Sequence, residues 1–332
     1  MTATATATAR RAPVWYIAHG GPPTLFQPDH PAFKHWVRVG QDMRQSDLSG
    51  LVVISAHWQA DPPRANARTA AAVVQINTDP ANPLLYDYYN FPPYFYKLAL
   101  RSSNPPAFSS LVADALRGAG LGVEPTERGI DHGVFIPLKA AFHNVLPADS
   151  PHVVKTGVAQ DEGRDALPEH IPLCQISLPA ELLLTGREAA EAALHLGRAL
   201  RPLRERGIGL MFGGQPVHNL RVAMRHFRSG VPPDARSGLY PAEDFARAFS
   251  EAISGAVVVG DGGSGGGAGG EKEREERVLG LVDHPAYKEA HPTDEHFLPL
   301  PAAIGATYDD EAVREDTAVP DGGMAWNMYR WG

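Results

Sequence analysis

The chain has 332 residues, 43% of them hydrophobic, enough for a sizeable core, and its 30 basic and 38 acidic residues give a net charge of −8. With no basic stripe, that balance argues against nucleic acid or an anionic membrane as the main partner and points to small molecules. The one cysteine, Cys174, excludes an intramolecular disulfide and a thiolate zinc site, and no apolar run approaches the roughly 20 residues of a membrane span.

Residues 1–12 are rich in Thr and Ala and read as a disordered tail rather than a transit peptide, which makes a cytoplasmic protein the expectation. A single domain is expected over 13–332. It opens with the strand-like run Val14-Trp15-Tyr16-Ile17-Ala18, which delivers His19 into Gly20, Gly21 and Pro22. A helix follows from Pro31 to Met43, with Phe33, Trp36 and Val37 at helical spacing; His30 and His35 beside it read as surface or packing residues. Leu51 to Trp58, LVVISAHW, then repeats the opening design and delivers His57 at a strand end, completing a β-α-β unit. In open α/β sheets the C-terminal ends of strands are where ligands bind.

Tyr86 to Tyr96, YDYYNFPPYFY, is too broken by prolines for a regular helix and reads as an aromatic loop, either a satellite core or a wall for a planar substrate. Pro106 to Gly118 is helix-like, with a short strand near Val123. Next comes RGIDHG at 128–133, whose Asp131-His132 pair lies in a glycine-bracketed turn suited to a general base. Ile171 to Leu178 reads as a buried strand holding Cys174, and Arg187 to Arg206 as a helix with His195 on its surface. The run from Gly207 to Phe212 forms a third strand leading through Gly213 and Gly214 to His218, after which Asn219 and Leu220 open another helix. Asp244 to Ile253 is helical, and 255–278 reads as a flexible, solvated glycine- and charge-rich insertion. In His291-Pro-Thr-Asp-Glu-His296, Thr293 or Asp294 is placed to cap a helix whose first turn holds Glu295 and His296. Met324 to Trp331 suits a closing strand at the sheet edge.

Four of the fourteen histidines, His19, His57, His218 and His296, each sit at the end of a regular element beside glycine, proline or a capping residue. Neutral imidazole is the usual nitrogen ligand for zinc and iron, so the set points to a metal site assembled from distant sequence.

The ordered motifs HGGP at 19–22, SAHW at 55–58, YDYYNFP at 86–92, RGIDHG at 128–133, HNLR at 218–221 and HPTDEHFLPL at 291–300 resemble the class III extradiol ring-cleavage dioxygenases, in the DOPA 4,5-dioxygenase-like branch. The resemblance runs from about Val14 to the C-terminus. It implies an α/β domain with a central mixed sheet flanked by helices, and one divalent metal at the C-terminal strand ends, natively Fe(II), with Zn(II) possible as the bound ion. By motif position His19, His57 and His296 are the implied ligands, with Glu295 a competitor for the third place. His218 is implied as a fourth ligand or an acid/base group, and His132 as the catalytic base. A catechol and O2 are the implied substrates, since a chelating diol and dioxygen need a site with about three protein ligands on one face. Two other chemistries fit the same histidines: a zinc hydrolase, and a non-enzymatic metal-binding protein. The oligomeric state is left open.

Overall fold

The computed structural model describes residues 11–61, 73–142, 166–179, 185–258 and 268–332. Residues 1–10 of the expected tail and the middle of the insertion, 259–267, lie outside them; Arg11 and Ala12 are not tail, since Arg11 pairs with Asp310 (2.7 Å) and Ala12 is buried with its N–H on the Arg204 carbonyl (2.9 Å). In chain order the first half carries β1 (Val14–Ala18), α1 (Pro31–Gln45), β2 (Gly50–Gln59), β3 (Val73–Asn77), α2 (Pro106–Gly118), β4 (Gly122–Thr126), α3 (His132–Phe142) and β5 (Leu173–Leu178). The second half carries α4 (Arg187–Leu200), β6 (Ile208–Gly214), β7 (Val217–His218), α5 (Leu220–Arg228), α6 (Asp244–Val257), α7 (Ala268–Leu279), α8 (Tyr287–Ala290) and α9 (Pro299–Gly305). The chain closes with β8 (Val313–Thr317), β9 (Pro320–Asp321), β10 (Met324–Ala325) and β11 (Met328–Trp331).

Eight strands form one mixed sheet in the order β4-β3-β5-β2-β6-β1-β11-β8, with β7, β10 and β9 in a small second sheet. The centre, β5-β2-β6-β1, is parallel. Because strand side chains alternate, neighbouring residues feed opposite faces. Val14, Tyr16, Val52, Ile54, Leu210 and Phe212 enter one core with α2, α4, α6 and α9. Trp15, Ile17, Leu51, Val53 and Met211 enter the other, with α1 and α3. Continuous apolar strands are what a sheet covered on both faces requires. The fold is the α/β domain with a mixed sheet flanked by helices that the motif series implied, and β1, β2 and β6 run parallel as the histidine argument needed.

Three local expectations change. Met324–Trp331 is two strands: Met324–Ala325 joins the small sheet, while Met328–Trp331 pairs with β1 on one side and β8 on the other, leaving β8 at the edge. The helix after His291 begins at Pro299, a residue whose missing N–H and fixed φ suit a first helical turn, so Glu295 and His296 sit in the preceding turn. Asp294 still anchors that turn, its carbonyl accepting from the N–H of Phe297 (2.9 Å) and Leu298 (3.3 Å). Finally, Gly255–Val257 ends α6, and the charge run at 271–277 is helical within α7 and docked. Glu275 is buried against Arg198 (Nε to Oε1, 2.9 Å), Glu271 meets Arg201 at 2.5 Å and Glu276 meets Arg187 at 2.5 Å. A run of acids reads as solvated until the basic face of α4 is placed opposite it.

Candidate metal centre

The parallel strands bring their C-terminal ends together, and the loops leaving them converge. His19 follows β1, with its N–H bonded to the Gly214 carbonyl at the end of β6 (3.0 Å). His57 lies near the end of β2. Gln215, just past β6, binds both flanking turns: its Oε1 accepts from the Gly20 N–H (3.2 Å), and its own N–H donates to the His296 carbonyl (3.0 Å). Glycine is needed here for space, because a Cβ on Gly214 would stand 2.9 Å from the His296 oxygen. Gly20 is needed for conformation, at φ +59°.

Five histidines meet in this space. Ring centroids lie 4.0 Å apart for His57 and His132, 4.7 Å for His19 and His57, 5.0 Å for His57 and His296, and 5.2 Å for His19 and His296. His218 stacks on His296 at 3.5 Å with planes 11° apart. One ligand atom from each of His19, His57 and His132 lies within 4.8 Å of the others, and the same holds for His218, Glu295 and His296. The four metal candidates and the base candidate read from the sequence are therefore all present in one cluster. His195 is exposed on α4, as expected; His30 and His35 are buried, His30 capping α1 by accepting the Ala32 N–H.

The hydrogen bonds fix which nitrogen of each ring faces inward. His19 Nδ1 sits 2.7 Å from the Gly20 carbonyl and donates to it, so Nε2 is the bare nitrogen; it is buried with no hydrogen-bond partner among the described residues. His296 Nδ1 faces Glu295 Oε1 at 3.0 Å, and His57 Nδ1 faces Asp87 Oδ2 at 3.4 Å. Both carboxylates place the proton on Nδ1, so the 3.4 Å between His57 Nε2 and His296 Nε2 separates two lone pairs. Two imidazole ligands bound at about 2.0–2.1 Å in tetrahedral geometry would stand about 3.4 Å apart. The donor set thus fits a divalent ion, with carboxylates behind two of the imidazoles as metal-bound histidines usually have. Glu295, the competing ligand, spends Oε1 on His296 and on the Thr293 hydroxyl (2.7 Å).

Burial keeps these rings neutral. It pulls the His19 pKa down to about 3, with His132 adding to the effect, and that of His218 to about 3; His57 and His296 fall well below 6.5 for the same reason. A neutral imidazole is the form that binds metal.

His132 is the first residue of α3, and its partner differs from the neighbour expected in the sequence. Asp131 turns away: its Oδ2 accepts from Gln175 Nε2 (2.6 Å) and Arg128 Nη1 (3.0 Å), while Arg128 Nη2 holds the His57 carbonyl (3.0 Å). The acid on His132 is Asp87 of the aromatic loop, whose Oδ1 accepts from both Nδ1 (2.7 Å) and the backbone N–H (3.0 Å). Successive helical residues point about 100° apart, so sequence neighbours at a helix start do not share a partner. Burial works against ionisation of Asp87, but the bonds from His132 hold its carboxyl below the usual range. Asp87 was missed in the sequence because nothing local singles it out from a tyrosine-rich loop. In that loop Tyr88 is buried, its hydroxyl donating to the Phe95 carbonyl (2.7 Å), and Tyr88 and Phe91 line the cavity.

The cluster opens into a cavity of about 380 Å³, lined by His19, His57, Asp87, His132 and His218 at one end. Among the described residues no helix is long and apolar enough to cross a membrane.

Known proteins resemble this chain along nearly its whole length. A 4,5-DOPA dioxygenase extradiol of Beta vulgaris is 27% identical over 96% of this chain and 95% of its own length. The dioxygenase tasH of Hapsidospora irregularis is 30% identical over 91% of this chain and 80% of its own. A crystal structure of an uncharacterized protein from Escherichia coli K12 shares the fold, with a TM-score of 0.60, 19% identity and coverage of 97% of this chain and 100% of that one. Residues 12–329 match the family described as the catalytic LigB subunit of aromatic ring-opening dioxygenase, and the chain belongs to that family.

Proposed function

We propose that the protein is a non-haem, metal-dependent extradiol dioxygenase that opens the ring of a catechol with O2, in the cytoplasm. The observation that carries the reading is the convergence of bare Nε2 atoms from His19, His57 and His296 beside the His132–Asp87 pair. His19, His57 and His296 hold the ion, Fe(II) in the native enzyme. When bound, the ion supplies a Lewis-acid centre that gathers the catechol oxygens and activates dioxygen.

The chain's own residues do the rest. His132 takes a proton from a catechol hydroxyl, and Asp87 holds its Nδ1–H so that Nε2 is the accepting atom and the resulting imidazolium is stabilised. Stacked on His296, His218 is positioned to return a proton as the ring opens, or to occupy a further ligand position. Tyr88 and Phe91 give the planar ring a wall and limit water. The related names add support: the Beta vulgaris relative is called a 4,5-DOPA dioxygenase extradiol, which favours a catechol ring, the group DOPA carries, as what this site opens.

The test is oxygen uptake by protein purified without air, reconstituted with Fe(II) and given catechols. The expected result is one O2 consumed per yellow ring-opened semialdehyde formed, with none from the zinc-loaded protein. Turnover of esters or amides by the zinc form without oxygen uptake would establish the hydrolase instead.

A further inference from the structure

The outer half of the cavity is built from parts that the ring chemistry does not use. Its walls are Leu220, Met224 and Phe227 of α5, facing Pro22, Pro23 and Trp326. Leu220, Met224 and Phe227 recur at four- and three-residue steps, one helical face, and are 54%, 36% and 57% exposed. They make up half of the six large hydrophobic side chains exposed among the described residues, so apolar surface is concentrated at the mouth of this one cavity.

Charge in this half is either negative or already matched. No lysine or arginine lines the cavity among the described residues. Asp321 accepts the Tyr240 N–H (2.7 Å) and the Trp326 Nε1–H (3.2 Å), with His30 Nε2 at 3.7 Å. His226 Nε2 faces Glu243 Oε1 at 3.1 Å. The cations of α5, Arg221, Arg225 and Arg228, border a neighbouring surface groove on the other side of Met224 and are not in the cavity lining. Size completes the picture, since a cavity of about 150 Å³ suffices for benzene and this one is about 380 Å³.

Resting on the dioxygenase reading above, we propose that the substrate is a catechol bearing a bulky, uncharged apolar substituent, which lies between α5 and the Pro22–Pro23 turn. A ring-borne carboxylate would have to shed its water beside Asp321 with no cation to receive it, which is costly. An alkyl or aryl group there covers Leu220 and Phe227 and gains from leaving water. Catechols whose carboxylate has no cation of its own, such as caffeate and 3,4-dihydroxybenzoate, are therefore disfavoured.

Binding separates this proposal from the reading it rests on. Metal-loaded protein is titrated without oxygen with 4-tert-butylcatechol and with 3,4-dihydroxybenzoate, as wild type and as Phe227→Arg, a change at an exposed position that leaves the fold intact. Wild type is expected to bind the tert-butyl compound at least about tenfold tighter, and Phe227→Arg to narrow that ratio about tenfold by giving the carboxylate a partner. Equal or tighter binding of the carboxylate by wild type, no binding of either compound, or an unchanged ratio in the variant would overturn the proposal. Admitting oxygen then tests the chemistry alone: a tightly bound apolar catechol that the iron protein leaves unopened counts against the dioxygenase, with the binding preference standing.

Discussion

At the inner end of the cavity carboxylates and an amide brace the histidines: Asp87 meets His132 and His57, Glu295 meets His296, and Gln215 ties the turns that carry His19 and His296. At the outer end one wall is three apolar side chains of the nine-residue α5, Leu220, Met224 and Phe227, each at least a third open to water. The first end is braced on several sides and suits a reaction that needs fixed geometry. The second tolerates change, and selectivity can drift there without disturbing the chemistry.

That contrast sets an order of sensitivity. Asp87→Asn removes the negative charge that orients His132 and helps position His57. Turnover at saturating metal should fall by about 10²-fold or more, with metal affinity lowered by about tenfold, as measured by steady-state rates alongside metal titration. A fall in metal affinity alone would mean that Asp87 only positions His57.

A buried imidazole outside the cavity separates burial from wiring. Among the described residues neither ring nitrogen of His35 has a hydrogen-bond partner, Asp316 Oδ2 being 3.9 Å away, and burial pulls its pKa from 6.5 to about 4. Between those values the unfolded chain binds this proton and the folded one does not. Its contribution is therefore complete above pH 6.5 and is lost as pH falls toward 4, by on the order of 3 kcal/mol. Denaturant melts across that window should show a shallower decline for His35→Leu than for wild type; parallel curves would mean that His35 stays neutral for no energetic reason of its own.

The smallest effect is expected at the outer end. Leu220→Ser should change unfolding free energy by less than about 0.5 kcal/mol, because the side chain is already half exposed. A loss of 2 kcal/mol or more in a thermal melt would show that the outer wall is part of the packed fold and would erase the contrast.

The same contrast explains what could be read in the sequence. Strands β1, β2 and β6 announce themselves as apolar runs ending in His or Gly-Gly, so His19, His57 and His218 were legible from local pattern alone. Asp87 was not, because its role exists only after the 86–96 loop folds across the start of α3. Asp131 misled for the converse reason, being adjacent in sequence but turned toward Gln175 and Arg128. The charge run of α7 had no visible partner until Arg187 and Arg198 of α4 and Arg201 just after it were laid beside its glutamates. The outer wall was invisible because its members come from three separate stretches, around 22, 224 and 326, and share no chemistry except being apolar.

The division of labour between the histidines is tested most directly by metal analysis and oxygen uptake on two variants prepared in parallel. His57→Ala should lose its bound iron and with it all turnover, whereas His132→Ala should keep iron near the wild-type content and still fail to open the ring. Equal loss of iron from both would contradict the account and make His132 a ligand rather than the base.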